Sequence, residues 1–351
     1  MSTADGTSNY EYVNARVRAR RAALFDDEDY RKLLRMGPGE IARYMEETEY
    51  ESEVNALGAR YDGVDLVEYA LNRNLAKHFD DLLDWSGGKL YTLIARYLRK
   101  FDAWNVKTVL RGIYADADSQ SVRDDLIHAG EFERSFLDRL ADAGAIEDVV
   151  EMLHGTIFGD HLEAAYEDYD STGLLIPLEN AVDRAYYEGL MEGVTETENR
   201  ATQLYVEFLQ AEIDFRNIRN ALRISRSGAD IDPSEYFISG GRLFKATELS
   251  QLAGNTDELI SRVRESTYGS DLDEALDELE RADSLIGFEH ALDAALLEYS
   301  DHLSHVFPLS VCPVLAYILA KQKEVDNIRA IARGREAGLS EDEIEDELVI
   351  L

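Results

Sequence analysis

Asp80, Asp81 and Asp84 form an Asp-Asp-x-x-Asp run, a spacing with which one helix can hold magnesium against a diphosphate. That chemistry needs carboxylates converging on the cation, normally with a second acidic helix opposite. No second run of this kind occurs, and a chain with 71 acidic residues produces the pattern by chance. The three acids are read as a solvated face. His302 and His305 stand at i and i+3, but no HExxH motif or nearby cysteine pair accompanies them. They read as solvated or capping histidines rather than metal ligands. The GxxxxGK[ST] and GxGxxG patterns are absent, and the Gly-Gly pairs at 87–88 and 240–241 lack the strand that a phosphate cradle requires. No cofactor, metal or catalytic group is expected.

What does recur is a polar constellation without a nucleophile. It appears in FDAWNVKTVLRGIY (101–114), IDFRNIRNALRIS (213–225) and KEVDNIRAIARG (323–334). Its members are Asp102, Asn105, Lys107 and Arg111; Asp214, Asn217, Arg219 and Arg223; and Glu324, Asn327, Arg329 and Arg333. The asparagines are spaced by 112 and 110 residues. VEYALNRNLAK, LENAVDRAYYE and FEHALDAALLE repeat at the same interval and carry Glu68, Glu179 and Glu289. A third set, IARYMEETEY, VVEMLHGTIF and LISRVRESTY, ends in Tyr50, Phe158 and Tyr268. Three segments keeping one order and one spacing indicate triplication.

The elements that must position these residues are helices. Apolar spacing is helical almost throughout, strand-like alternation is scarce, and Asn-Gly turns are absent. A period of about 110 residues is domain-sized, unlike the 20 to 50 residues of a solenoid repeat. The expected organisation is all-α, with homologous helical domains at 1–117, 118–229 and 230–351. The breaks fall in ADADSQS (115–121) and RSGADIDPSE (226–235), the latter offering Asp232 as an N-cap and Pro233 in the first turn. On a wheel of about 100° per residue the Asn and the acid flank the apolar face, and the two bases stack on the opposite side. The acid and Asn are therefore expected to pin helix register. The bases are expected to face an acidic partner or a neighbouring repeat's Glu.

Composition sets the milieu. The net charge is −35, and lysine occurs at only 8 positions against 28 arginines. An acidic, Lys-poor surface suits a salty cytoplasm, because at molar salt the Debye length falls to about 3 Å and self-repulsion is screened. Nucleic acid is disfavoured, since phosphates need a basic face. The single cysteine, Cys312, excludes an internal disulfide framework and reads as a small buried hydrophobe. The N-terminus shows no secretory signal, and the longest apolar run, VFPLSVCPVLAYILA (306–320), is short for a membrane span. A soluble chain is expected.

The segment FPLSVCPVLAYILAKQKEVDNIRAIARGR (307–335), with YEYVNARVRARRAALF (10–25) and YLRKFDAWNVKTVLRGIY (97–114), resembles the C subunits of archaeal A-type (V/A-type) ATP synthases, a family related to the d subunits of eukaryotic V-ATPases. The resemblance covers essentially the whole chain, including the acidic end GLSEDEIEDELVIL, and its composition suggests a halophilic archaeal version. The stretch containing Pro313, Tyr317, Glu324, Asn327 and Arg329 is its most specific part, although Cys312 and Gln322 stand where aliphatic and acidic residues are expected. The resemblance implies three helical domains arranged as a funnel with pseudo-threefold symmetry. It further implies a non-enzymatic, peripheral protein at the cytoplasmic face of the cell membrane. Its partners would be the membrane rotor ring (the proteolipid, or K, component) and the D and F components of the central stalk in a proton- or sodium-translocating synthase. The alternative is an all-α magnesium-dependent prenyl-diphosphate enzyme using Asp80, Asp81 and Asp84.

Overall fold

The computed structural model describes residues 7–192, 200–227, 236–252, 255–281 and 286–349. Among them the chain is all-α, with no strand. It forms two compact units: Met1–Asp102, Gln120–Leu137 and Tyr299–Leu351 make the first, and Ala103–Ser119 with Asp138–Glu298 makes the second.

In the first unit the long helix Gly63–Trp85 packs along Cys312–Glu336, and Tyr10–Arg21 lies against the same partner. Val67, Leu71 and Phe79 from the first helix are fully buried, as are Tyr317, Ile328 and Ile331 from the second. Burying a side chain of this size contributes roughly 1.5–3 kcal/mol. Pro313 sits in the opening turn of its helix, where a missing N–H costs nothing. Short helices complete the unit. One, Asp27–Leu33, is capped by the Asp26 carboxylate, which accepts from Glu28 and Asp29 N–H.

The second unit contains the helical hairpin Gly159–Thr172 and Ile176–Met191. Gly173 closes the first helix at φ +69°, a left-handed conformation that suits glycine. A further core gathers Phe215, Ile218 and Leu222 with Leu259, Val263, Leu272, Leu276, Phe288 and Leu292.

One local turn occurs three times at the third repeated segment. Thr48 Oγ1 donates to Met45 O and accepts from Tyr50 N. Thr156 does the same with Leu153 O and Phe158 N, and Ser266 with Val263 O and Tyr268 N. A hydroxyl two residues before the aromatic residue satisfies the carbonyl and amide that the chain reversal leaves open. One helix ends at Tyr114 and another begins at Ser119, with Asp116 at φ 55° between them. Asp232 and Pro233 lie outside the described residues.

Candidate functional site

The repeated constellations lie on the helices Lys100–Tyr114, Arg200–Ser227 and Cys312–Glu336. Their acids and asparagines, Asp102, Asn105, Asp214, Asn217, Glu324 and Asn327, are all at most 3% exposed. Buried groups of this kind must find hydrogen bonds, and Asp102, Asp214, Asn217, Glu324 and Asn327 find them in the backbone of distant segments. Asn217 donates from Nδ2 to Ile238 O and accepts from Ile238 N through Oδ1, both at 2.9 Å. Asn327 makes the same pair with Val349, at 2.9 and 3.1 Å. An amide is the side chain that can satisfy a peptide's donor and acceptor at once. Ile238 and Val349 are 111 residues apart, so each asparagine fastens the equivalent strap.

The acids hold the backbone just beyond such a strap. In the first unit Asp102 accepts from Glu131 N at 2.8 Å and Phe132 N at 3.1 Å. In the second, Asp214 accepts from Arg242 N at 3.1 Å, Leu243 N at 3.0 Å and the Tyr268 hydroxyl at 3.1 Å. Gly130 and Gly241 stand immediately before these amides, and a Cβ on either would sit well inside van der Waals contact of the carboxylate. The glycines are required by space. The Gly-Gly pair at 240–241 thus serves a protein carboxylate rather than a phosphate.

The third acid is longer and is differently surrounded. Glu324 accepts from Phe25 N, the Tyr50 hydroxyl and Lys321 Nζ at 2.6, 2.6 and 2.7 Å. Lys321 is fully buried, also donates to the Tyr50 oxygen at 2.9 Å, and lies 4.2 Å from the Tyr50 ring centre. Burial pushes its ammonium below the ordinary lysine value, while Glu324 acts in the opposite direction. His78, bonded through Nδ1 to the Tyr317 hydroxyl, is pushed down to about 2, by burial and then by the Lys321 charge, and is therefore neutral. Nothing in the sequence marks Lys321 as special: it is one base among several on a long helix, and no counterpart stands at Ala211 in the second repeat.

The bases on the other side of each helix close outer clasps, all within a single unit. In the second unit Lys107 Nζ reaches Asp183 at 2.6 Å and Arg111 bonds Glu179. Arg219 bonds Asp293, and Arg223 Nε donates to Glu289 at 2.6 Å. In the first unit Arg329 donates to Asn72 Oδ1 at 2.8 Å, and Arg333 Nη2 to Glu68 at 2.9 Å. The first base of each pair is the more enclosed, as with Arg219 at 17% exposure against 58% for Arg223. Burial opposes ionisation of Asp183, yet Arg216 at 3.1 Å and Lys107 outweigh it and hold the carboxyl below its ordinary value. The outer arginines, exposed and screened at molar salt, add little stability each. The shared Asn/Asp of the second repeated segment, here Asn72, Asp183 and Asp293, is thus the acceptor for the inner base.

The remaining candidates separate. Asp81 is held by Arg20, while Asp80 and Asp84 are exposed. Among the described residues no three His, Cys, Asp or Glu groups are arranged to hold a metal. His305 Nδ1 lies 2.9 Å from Asp301 O in the last turn of its helix, as a capping histidine would, and Cys312 is buried. No described helix is long and apolar enough to cross a membrane.

Asp102 yields a pH signature. Burial pushes its carboxyl up to about 7 from an ordinary 3.8, and the Glu131 and Phe132 amides offset only part of this. Glu131 raises it further and Arg99 lowers it, the two being paired at 2.7 Å. Between those two values the folded chain keeps a proton that the unfolded chain has lost, so stability falls as pH rises through this window. Unfolding midpoints at pH 5 and 8 in molar salt should show a loss in the parent chain that Asp102→Asn does not share. Equal slopes would remove Asp102 as the source.

The family model described as ATP synthase (C/AC39) subunit matches residues 13–347. The chain is 68% identical to the A-type ATP synthase C subunit of Haloferax volcanii, over all of both chains. It is 61% identical to the protein of that name in Halobacterium salinarum, over 99% of this chain and 100% of the other. Against the Methanococcoides burtonii protein of that name the identity is 36%, over 100% and 97%.

Proposed function

The chain belongs to the ATP synthase (C/AC39) subunit family, and we propose that it works in an A-type ATP synthase as a non-catalytic rotor adaptor. In this reading it sits on the membrane ring and receives the central stalk, passing rotation between ion flow and the catalytic head. The carrying observation is the clasp. Bases of the first repeat engage acids of the second (Lys107–Asp183, Arg111–Glu179). Those of the second engage the third (Arg219–Asp293, Arg223–Glu289), and those of the third engage the first (Arg333–Glu68). A head-to-tail series whose last member engages its first supports three domains, at 1–117, 118–229 and 230–351, closing as a pseudo-threefold funnel.

A part that transmits torque has to resist shear without turning over a substrate. Helices suit that work because their backbone hydrogen bonds are internal and their packed cores deform little. The test is a synthase reconstituted with and without this chain. Without it, the head should still hydrolyse ATP while ATP-driven ion transport into vesicles is lost, and adding the chain back should restore transport. Undiminished transport in its absence would refute the adaptor role.

A further inference from the structure

The straps are not all held alike. In the second unit Asn217 and Asp214 grip one unbroken stretch, through Ile238, Arg242 and Leu243. A bond lost there is quickly remade, because its neighbours keep the two groups at high effective concentration. On the helix Cys312–Glu336 the same two positions grip separate segments: Asn327 holds Val349, and Glu324 holds Phe25. Val349 can therefore leave while Phe25 stays. Ile344 rests on Gly334, where a Cβ would lie 2.6 Å from its Cγ1, and Leu348 and Val349 are buried. Gly338, at φ +78°, supplies a left-handed joint just before this segment. Its charge also sets it apart. Glu341–Glu347 carries six acids in seven residues, whereas 238–243 has none and 130–132 only Glu131. Ser340 caps the helix Glu341–Glu345, so Glu341, Asp342 and Glu343 sit at the end that its dipole favours. Glu345, Asp346 and Glu347 sit at the other end, where the dipole repels them. Arg35 approaches Glu341 at 3.9 Å, but both side chains are largely exposed and the contact adds little.

We propose that Ser340–Val349 is a salt-gated latch, closed at molar ionic strength and released from the helix Cys312–Glu336 as salt falls. At about 1 M the Debye length is about 3 Å, shorter than the roughly 5–6 Å between neighbouring acids on a helix. The six charges then scarcely feel one another or the rest of a chain carrying −35. At about 0.15 M the length is about 8 Å, and the same charges repel across the whole segment. The apolar contacts of Ile344, Leu348 and Val349 do not grow to offset this. The straps over Asp102 and Asp214 lack the charge and stay in place. Release bares the Asn327 amide and Gly334 on the helix whose outer bases, Arg329 and Arg333, bond Asn72 and Glu68. Ionic strength thus acts at one point of the first unit before it acts on the fold as a whole.

Hydrogen–deuterium exchange of the full chain, read by mass spectrometry as KCl is lowered stepwise from molar, tests the latch. Peptides containing Ile344–Val349 should lose protection first, exchanging at least about tenfold faster, while those containing Ile238–Leu243 and Gly130–Phe132 keep theirs. The triple variant Glu345→Gln/Asp346→Asn/Glu347→Gln removes charge and keeps shape. It should stay closed to lower salt than the parent, with the straps unchanged. Sucrose in place of KCl strengthens burial without screening charge, so it should leave the parent latch open. Latch and straps losing protection at one salt concentration, or a segment already unprotected in molar salt, would overturn the proposal. So would a triple variant that opens where the parent does, or a latch that sucrose closes as well as KCl.

Discussion

Lys321→Met should lower the unfolding free energy by roughly 3–5 kcal/mol, because removing one partner of a buried pair leaves the other charge without compensation. The substitution keeps the volume of the stem and takes away the ammonium between Glu324 and the Tyr50 oxygen. Glu324 would retain the Phe25 amide and the Tyr50 hydroxyl, which are dipoles and not a counter-charge. The double variant Lys321→Met/Glu324→Gln should recover much of the loss, since a neutral amide can still accept from Phe25 and Tyr50. Denaturant unfolding at fixed molar salt measures all three chains. If the single variant lost less than about 1 kcal/mol, the pair would be shown to be solvated in practice and the picture of a sealed polar centre would be wrong.

Gly241→Ala is expected to be comparably damaging, by roughly 3 kcal/mol, for a different reason. Overpacking a tight site costs about 1–3 kcal/mol. Here the added methyl also drives Asp214 off the amides of Arg242 and Leu243, leaving buried polar groups unpaired at about 1–3 kcal/mol more. The dihedral is not the cause: Gly240, at φ +112°, is the neighbour that needs conformational freedom. The two explanations are separable with a cycle that includes Asp214→Ala. A steric origin makes the two substitutions strongly non-additive, the second adding little once the carboxylate has gone. Additive losses would point to backbone conformation instead.

Much of this was legible because it is local or periodic. A helix turning about 100° per residue places Asp214 and Asn217 beside the apolar face whatever the rest of the chain does, and repetition at Glu68, Glu179 and Glu289 supplied the acids for the bases opposite. The all-α class followed from the same periodicity. The rest depended on contacts distant in sequence. The tie between Asp102 and the backbone after Gly130 spans 29 residues, and one glycine among 23 carries no mark of such a neighbour. The burial of Lys321 is set by Tyr50, 271 residues away, and by the helices packed around both. The Asp80–Asp84 run imitates a metal box because composition alone fills helix faces with acid; which acids stay in water is decided by partners such as Arg20.

One methylene separates Glu324 from Asp102 and Asp214, and it changes what the chain can carry nearby. The aspartates reach their amides only past bare glycine, whereas Glu324 accepts from Phe25 N with Ala23 and Leu24 preceding it in the chain. That junction is also where the unrepeated helix Tyr10–Arg21 joins the first repeat. The longer arm thus makes room for a graft. For protein engineering, residues 22–24 are the natural place to splice in a hinge, a tag or a circular permutation breakpoint, and the glycine-gated junctions at 130 and 241 are places to leave untouched.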